Sequence, residues 1–292
     1  MIATGTERAR AAAPAVRRRL GKIVGLALGH AVAITACVLT MLPALWVLGT
    51  SFSADPSLFS FAYVPEAFGL QSYQYLFEHT LFLTWLRNSV LFAAIAAGIT
   101  LAISTLAAYG FWRFRFRGRR YGVLLLLLLQ LFPALLALVA YYRFLVVLGL
   151  INTVPGLILV WSGAGTAFCL WLLNGYMESI PRELDEAAQI DGAGPLASLV
   201  RVILPSAKPM LAVVFLFQFI GFYNDYIVIS ILMNDDKSYT ASVGLRTLII
   251  QFAQKWPAFA AGAVLASLPI VAIFFSAQRY LEEGLTRGSV RG

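Results

Sequence analysis

One carboxylate, Asp225, lies inside an otherwise apolar run and is flanked by residues that can bind a polar molecule. Tyr223, Asn224 and Tyr226 add two aromatic rings and an amide to its carboxyl group. An ionisable side chain at membrane depth is costly unless it faces a polar cavity or a partner. Asp225 is therefore expected either to line a polar passage or to pair with an arginine or lysine of another subunit.

A second chemically distinctive stretch, residues 177–205, lies between two hydrophobic runs and holds five of the chain's 14 acidic residues. Its prolines predict two short helices, one beginning near Pro181 and the other at Pro195 and ending before Pro205. Gly192 falls in the break between them, where a backbone conformation closed to other residues is common. The pattern suits an ordinary amphipathic loop of a membrane protein, or a knob that fits a partner's groove.

Composition places the chain in a membrane. It has 292 residues, 60% of them hydrophobic and 12% charged, with a mean hydropathy of +0.80. A soluble domain would carry about 25% charged residues. The net charge of +8 is then expected to mark cytoplasmic loops and not a nucleic-acid partner.

Enzymatic chemistry is not predicted. The sequence has neither a phosphate-binding loop nor an HExxH motif, and Cys37, Cys169, His30 and His79 lack the spacing of a metal or redox site. We therefore expect no catalytic residue, no metal and no cofactor on this chain.

The hydrophobic runs predict an all-α integral membrane protein with six transmembrane helices, each about 20 residues or longer. The expected spans are residues 23–48, 88–111, 121–145, 157–176, 210–232 and 258–281. Gln130 and Pro133 interrupt the third of them. The expected organisation is a basic N-terminal segment (1–22), a six-helix domain (23–281) and a C-terminal tail (282–292).

Charge distribution predicts the orientation of the spans. With the N-terminus inside, the cytoplasmic segments hold 17 of the 22 lysines and arginines, five of them in residues 113–120. Basic residues are enriched in cytoplasmic loops. Both termini and the loop 177–205 are therefore expected to be cytoplasmic.

The loop also resembles a known motif. Glu186-Ala187-Ala188, three residues, Gly192, nine residues and Val202-Ile203-Leu204-Pro205 match the EAA loop of ABC importer permeases, except that Val202 replaces isoleucine. The resemblance implies that this loop docks into a cleft of a cytoplasmic ATP-binding subunit. The coupling residues so implied are Glu186, Ala187, Ala188, Asp191, Gly192, Leu204 and Pro205.

Further stretches look like the maltose-type branch of carbohydrate ABC importers: residues 51–53, 85–89, 108–111, 130–133, 238–244 and 284–292. This resemblance implies a heterodimer with a second permease subunit in a bacterial or archaeal cell membrane. It also implies two copies of an ATPase that binds ATP and magnesium, and an extracytoplasmic sugar-binding protein. The expected substrate is maltose, maltodextrin or a related sugar such as trehalose.

The resemblance also assigns roles to residues. Tyr223, Asn224, Asp225 and Tyr226 are expected to line the pathway, because many sugar permeases carry an asparagine–acid pair there. By position, residues 251–257 would contact the binding protein. The residues concerned are Gln251, Gln254, Trp256 and Pro257.

Three other functions remain open from the sequence. A permease of a non-sugar ABC importer would share the loop motif. A secondary transporter would need inverted repeats and ion ligands on unwound helices, and the single membrane carboxylate and the lack of a detectable repeat argue against it. A membrane enzyme would need clustered His, Asp or Glu, and the sequence shows no such cluster. Dependence of uptake on ATP and on a binding protein separates the ABC importer from the secondary transporter.

Overall fold

The computed structural model describes residues 5–54, 65, 67–250 and 255–289. Apart from one isolated bridge between Ser53 and Phe68, the regular structure of these residues is helical. The α-helices are α1 (Gly5–Ser51), α2 (Gln71–His79), α3 (Phe82–Arg113), α4 (Arg119–Leu129), α5 (Ala134–Leu148), α6 (Val154–Met177), α7 (Arg182–Ile190), α8 (Pro195–Ser198), α9 (Leu204–Asn224), α10 (Ile227–Leu232), α11 (Ala241–Ile250) and α12 (Trp256–Ser289). A π-helical turn (Leu199–Ile203) joins α8 to α9, and a 3₁₀ turn (Asp236–Ser238) precedes α11.

Five helical segments of the described chain are long and apolar enough to cross a membrane, and a bent pair is the sixth candidate. The single segments are Val24–Ser51, α3, α6, Pro195–Asn224 and Trp256–Tyr280. The bent pair is Tyr121–Leu129 with Ala134–Leu148, which meet at 92°. Pro133 precedes α5 and has no N–H to continue the hydrogen bonding of α4. The interruption expected within the third span is therefore a sharp corner.

The fifth predicted span differs from expectation at both ends. Pro205 does not stop a helix, because it lies in the first turn of α9 and the chain stays helical from Pro195 to Asn224. The preceding π turn changes the hydrogen-bond register locally, as such turns do inside longer helices. Beyond Asn224, Asp225 is extended (φ −66°, ψ 118°), so residues 210–232 are two helices and not one.

α3 is the central helix of the described fold, and it packs along α6 and α9. Ala93, Ala96 and Ala97 are all fully buried, so the helix backbones can approach closely there. Their neighbours in this core include Trp161 of α6 and Phe219 of α9. Separate buried clusters lie at the two ends of α3, so both ends are held by packing.

α12 packs against α9, α2 and α11, and α1 packs mainly against α12. The apolar side chains of α1 remain largely uncovered by this chain; Leu26 is 66% and Ile34 is 62% exposed. This apolar surface is available to lipid or to another subunit.

Candidate functional site

The loop 177–205 folds as two helices around a glycine turn. Gly192 has a φ of +82°, the left-handed conformation expected for it. Its N–H donates to the Gln189 carbonyl (3.0 Å), and the Ala193 N–H donates to the Ala188 carbonyl (2.9 Å). This hydrogen-bond pair closes the C-terminus of α7 in a Schellman motif. The turn then delivers the chain to Pro195, the first residue of α8.

Asp185 fixes this loop to the end of α3. Its side chain is 7% exposed and lies 2.7 Å from the guanidinium of Arg113, whose side chain is 11% exposed. Its partners are Arg113 Nη1, Tyr109 Oη (3.0 Å) and Ser198 Oγ, which donate to Oδ1, and Gln189 Nε2 (3.0 Å), which donates to Oδ2. Arg113 also donates to the Tyr109 hydroxyl. The carboxylate therefore joins α3, α7 and α8.

A second arginine strengthens the same junction. Arg182, the first residue of α7, donates from Nη2 to the Trp112 carbonyl at 3.1 Å and lies over the Trp112 ring, 5.9 Å from its centroid. Below this junction Leu199 and Ile203 are buried against Trp112 and its neighbours. The loop is thus a packed extension of the membrane helices.

Loop 177–205 has an exposed apolar face on the side that does not pack against the membrane helices. Ile190 is 87%, Leu196 65% and Val200 52% exposed. Glu186 and Ala187 are exposed beside them, whereas Ala188 is buried. Exposed apolar patches with a polar rim commonly mark protein contacts.

The remaining expected coupling residues lie along the same segment. Asp191 is the exposed C-cap residue that follows α7, Leu204 is half-buried, and Pro205 is exposed at the start of α9.

Asp225 lies at the break between α9 and α10. Its Oδ2 accepts from the Trp161 indole N–H at 2.8 Å, and its Oδ1 accepts from the Val228 backbone N–H at 3.1 Å. Its carbonyl oxygen accepts from the Ser242 hydroxyl at 2.9 Å. Among the described residues, the one ion pair joins Arg113 to Asp185, so Asp225 has an indole and a backbone amide as partners.

The structure brings the other three predicted pathway residues to this break but gives them different surroundings. Tyr223 is 4% exposed and donates to the Ala266 carbonyl of α12 at 2.7 Å. Asn224 is exposed and donates to the Ile220 carbonyl at 2.9 Å. Tyr226 is half-buried, with the Arg246 guanidinium 4.8 Å from its ring centroid.

The opposite end of α3 holds the loop 235–241, here called the outer loop. Trp85 Nε1 donates to the Asp236 carbonyl (2.8 Å), and Asn88 Nδ2 donates to the carbonyls of Lys237 (2.8 Å) and Tyr239 (2.9 Å). In the opposite direction, the Ala241 N–H of the loop donates to Ser89 Oγ (2.8 Å). Trp85, Asn88 and Ser89 are all buried. The backbone of the outer loop is therefore positioned by side chains of α3.

The outer loop presents charge at its tip. Asp235, Asp236 and Lys237 are exposed. Burial, together with the Asp236 and Asp235 carboxylates, raises the pKa of the Tyr239 hydroxyl above its ordinary value.

Of the residues expected to contact a binding protein, Gln251 and Gln254 lie outside the described residues. Trp256 and Pro257 begin α12; Trp256 is half-buried and Pro257 is buried. Lys255 donates from its backbone N–H to the Leu248 carbonyl at 3.3 Å, which ties this segment to α11.

Sequence reasoning missed several of these contacts. The sequence predicts Arg113 only as one of the basic residues that set the orientation, although Tyr109 and Arg113 are four residues apart and share one helix face. Trp161 and Arg246 carry no motif, and their positions beside Asp225 and Tyr226 follow from tertiary packing.

Comparison with known proteins assigns the chain to a family. Residues 94–287 match the family described as binding-protein-dependent transport system inner membrane component. The chain is 38% identical over 224 residues to the maltodextrin transport system permease protein MdxG of Bacillus subtilis, covering 76% of this chain and 81% of the relative. It is 38% identical over 259 residues to the galactooligosaccharides transport system permease protein GanQ of the same organism, covering 87% and 92%.

The maltose/maltodextrin transport system permease protein MalG of Vibrio vulnificus is 44% identical over 217 residues, covering 72% of this chain and 73% of the relative. A solved bacterial ABC transporter involved in the import of the acidic polysaccharide alginate has the same fold, with a TM-score of 0.78 at 24% identity over 90% of this chain and 98% of that chain. The chain therefore belongs to the family of binding-protein-dependent transport system inner membrane components, as a multi-pass inner membrane permease.

Proposed function

We propose that this chain is a permease subunit of an ATP-driven ABC importer for oligosaccharides of the maltodextrin type. The observation that carries this proposal is the identity of 38–44% to permease proteins named for maltodextrin, galactooligosaccharide and maltose transport. The family match does not favour a secondary transporter. Trehalose and other related sugars stay within the proposed substrate class.

We further propose that the chain forms half of the pathway beside a second permease subunit. In this proposal two ATP-binding subunits hydrolyse ATP, and a sugar-binding protein delivers the substrate. A solved relative of the fold is a bacterial alginate ABC transporter in complex with a pentasaccharide-bound periplasmic protein, with a TM-score of 0.67 at 16% identity. The exposed apolar face around Ile190 and Leu196 supports docking of the ATPase on loop 177–205.

Uptake by a deletion strain tests the substrate class. We expect deletion of this chain to abolish uptake of labelled maltotriose or of a labelled galactooligosaccharide, and plasmid-borne wild-type chain to restore it. Glucose uptake serves as the control. Normal uptake of all these oligosaccharides in the deletion strain, with loss of peptide or amino acid uptake, would contradict the proposal.

The orientation gives a labelling prediction. In a variant without Cys37 and Cys169, a cysteine at position 235 is expected to react with a membrane-impermeant maleimide in intact cells. Cysteines at positions 115 and 190 are expected to react only after the membrane is opened. All three native side chains are exposed on this chain, and labelling in cells that lack the ATPase removes the cover proposed for position 190, so the membrane decides the result. Labelling of position 190 from outside intact cells would refute this topology.

Asp225→Asn is expected to reduce uptake by about 10-fold or more without loss of the assembled complex. The variant keeps the size of the side chain but removes the charge, and a hydrogen bond to a charged group contributes about 1.5–3 kcal/mol. Uptake and co-purification of the partner subunits measure the two effects separately. Normal transport and normal assembly of Asp225→Leu would contradict both a pathway role and a pairing role.

A further inference from the structure

We propose that α3 is the rigid link by which the binding-protein side of this subunit communicates with loop 177–205 on the ATPase side. The inference rests on the proposed function of those two sides. It assigns a transmitting role to a helix whose contacts at both ends are made by buried polar side chains.

The C-terminal end of α3 is held by a charged clamp, here called the inner clamp. Asp185 draws together Arg113 and Tyr109 of α3 with Ser198 of α8, and both members of the ion pair are nearly inaccessible to water. A buried pair of this kind is strongly disfavoured in any state that separates its members. A displacement of the loop 177–205 is therefore expected to move the end of α3 with it.

The N-terminal end of α3 is held by a neutral clamp, here called the outer clamp. Asn88, 3% exposed, holds the backbone carbonyls of Lys237 and Tyr239 at 2.8 Å and 2.9 Å. Trp85 adds an indole hydrogen bond to the same loop, and its ring fills the space over Gly244 of α11, where a Cβ would lie 2.1 Å from it. The outer loop and α11 are consequently held to the beginning of α3.

The contacts continue from α11 toward the segment expected to touch the binding protein. Leu245 and Leu248 of α11 share a buried cluster with Trp85 and with Ala258 of α12. The Lys255 N–H bonds to the Leu248 carbonyl, immediately before α12 begins. A displacement of the chain at Lys255 and the beginning of α12 is therefore expected to move α11 first and then α3.

Between its ends α3 is built to keep its shape. It is continuous over 32 residues, contains no proline, and is about 48 Å long at 1.5 Å per residue. The fully buried alanines pack it against α6 and α9, and the Ser104 hydroxyl adds a hydrogen bond to the Thr166 carbonyl at 3.1 Å. Motion imposed at one end thus reaches the other with little room for bending.

The test uses the complete complex in proteoliposomes and measures the ratio of ATP hydrolysis with and without the sugar-loaded binding protein. Asn88→Ala opens the outer clamp and Asp185→Asn weakens the inner one. Each is expected to lower the ratio by about fivefold or more, the scale of ordinary allosteric coupling. Thr100→Val, which keeps the side-chain shape but removes a buried hydroxyl bonded to the Ala96 carbonyl of the same helix (2.7 Å), is expected to keep the wild-type ratio.

The double variant decides whether the two clamps act in series. If α3 is the link, the ratio for Asn88→Ala/Asp185→Asn is expected to be no lower than that of the more impaired single variant, because both substitutions act on the same coupling free energy. Losses that multiply would mean that the two ends contribute to coupling independently of each other, and would overturn the proposal. A ratio within twofold of wild type for Asn88→Ala would also overturn it; where that variant does not assemble, Ser89→Ala decides in its place.

Failure of this link is distinguishable from failure of the proposed function. If the wild-type complex does not bind an ATPase or shows no stimulation by a binding protein, the proposed function is wrong. If the wild-type complex is stimulated and the outer-clamp variants are stimulated equally, the function stands and the role of α3 is wrong.

Discussion

Glu186→Lys is expected to lower the affinity of the ATPase subunit for this permease by a factor of about 30 or more. Glu186 is exposed beside the apolar face of the loop, so it can pair with a basic group in the proposed docking cleft of the ATPase. Loss of one member of such a desolvated pair costs about 2–5 kcal/mol. Co-purification of the ATPase measures the loss, and wild-type co-purification would remove the docking role from Glu186.

Gly192→Leu is expected to affect the same coupling through the backbone. A non-glycine residue at a φ of +82° costs about 1–2 kcal/mol, and the space around Gly192 is open, so this cost is conformational. In this variant, binding-protein-stimulated ATP hydrolysis is expected to be uncoupled from sugar uptake, while the membrane spans still insert. Gly194→Ala is the matched control, since Gly194 has a φ of −67° and also has open space around it.

Arg113→Ala is expected to destabilise the junction of α3 with loop 177–205 by about 3–5 kcal/mol, because it leaves the buried carboxylate of Asp185 without its cation. Thermal unfolding of the purified complex and protease cleavage within loop 177–205 both report this loss. Arg201→Ala in the same segment removes an exposed arginine and is expected to stay within about 0.5 kcal/mol of wild type.

A double substitution separates the charge from the packing at this site. Arg113→Leu/Asp185→Asn is expected to recover part of the stability lost by Arg113→Ala, since it removes the uncompensated buried charge while the amide oxygen can still accept from the Tyr109 and Ser198 hydroxyls. Equal stability of Arg113→Ala and Arg201→Ala would show that the ion pair contributes little.

Local sequence signals were sufficient where one short segment determines the structure. The helix, glycine turn and helix around Gly192 follow from capping and proline positions, and the interruption at Pro133 follows from its missing N–H. The apolar runs similarly predict the membrane spans, because about 20 apolar residues are required to cross the bilayer.

Tertiary packing decided what the sequence left open. Pro205 reads as a stop signal, yet a π turn lets the helix continue through it. Asp225 reads as a polar residue within a span, whereas its bonds to Trp161 and Val228 stabilise a break there. The Arg113–Asp185 pair joins residues 72 positions apart, and each has a sufficient local explanation, as a topology charge or a helix N-terminal acid.

The two clamps on α3 also constrain how this gene can change in length. Asn88 and Arg113 are 25 residues apart, which is close to seven full turns, so their side chains leave the helix in nearly the same direction. One inserted or deleted residue between them would rotate one clamp relative to the other by about 100°. Insertions should therefore accumulate among related genes in the connecting segments and be eliminated between these two positions, whatever the transported sugar.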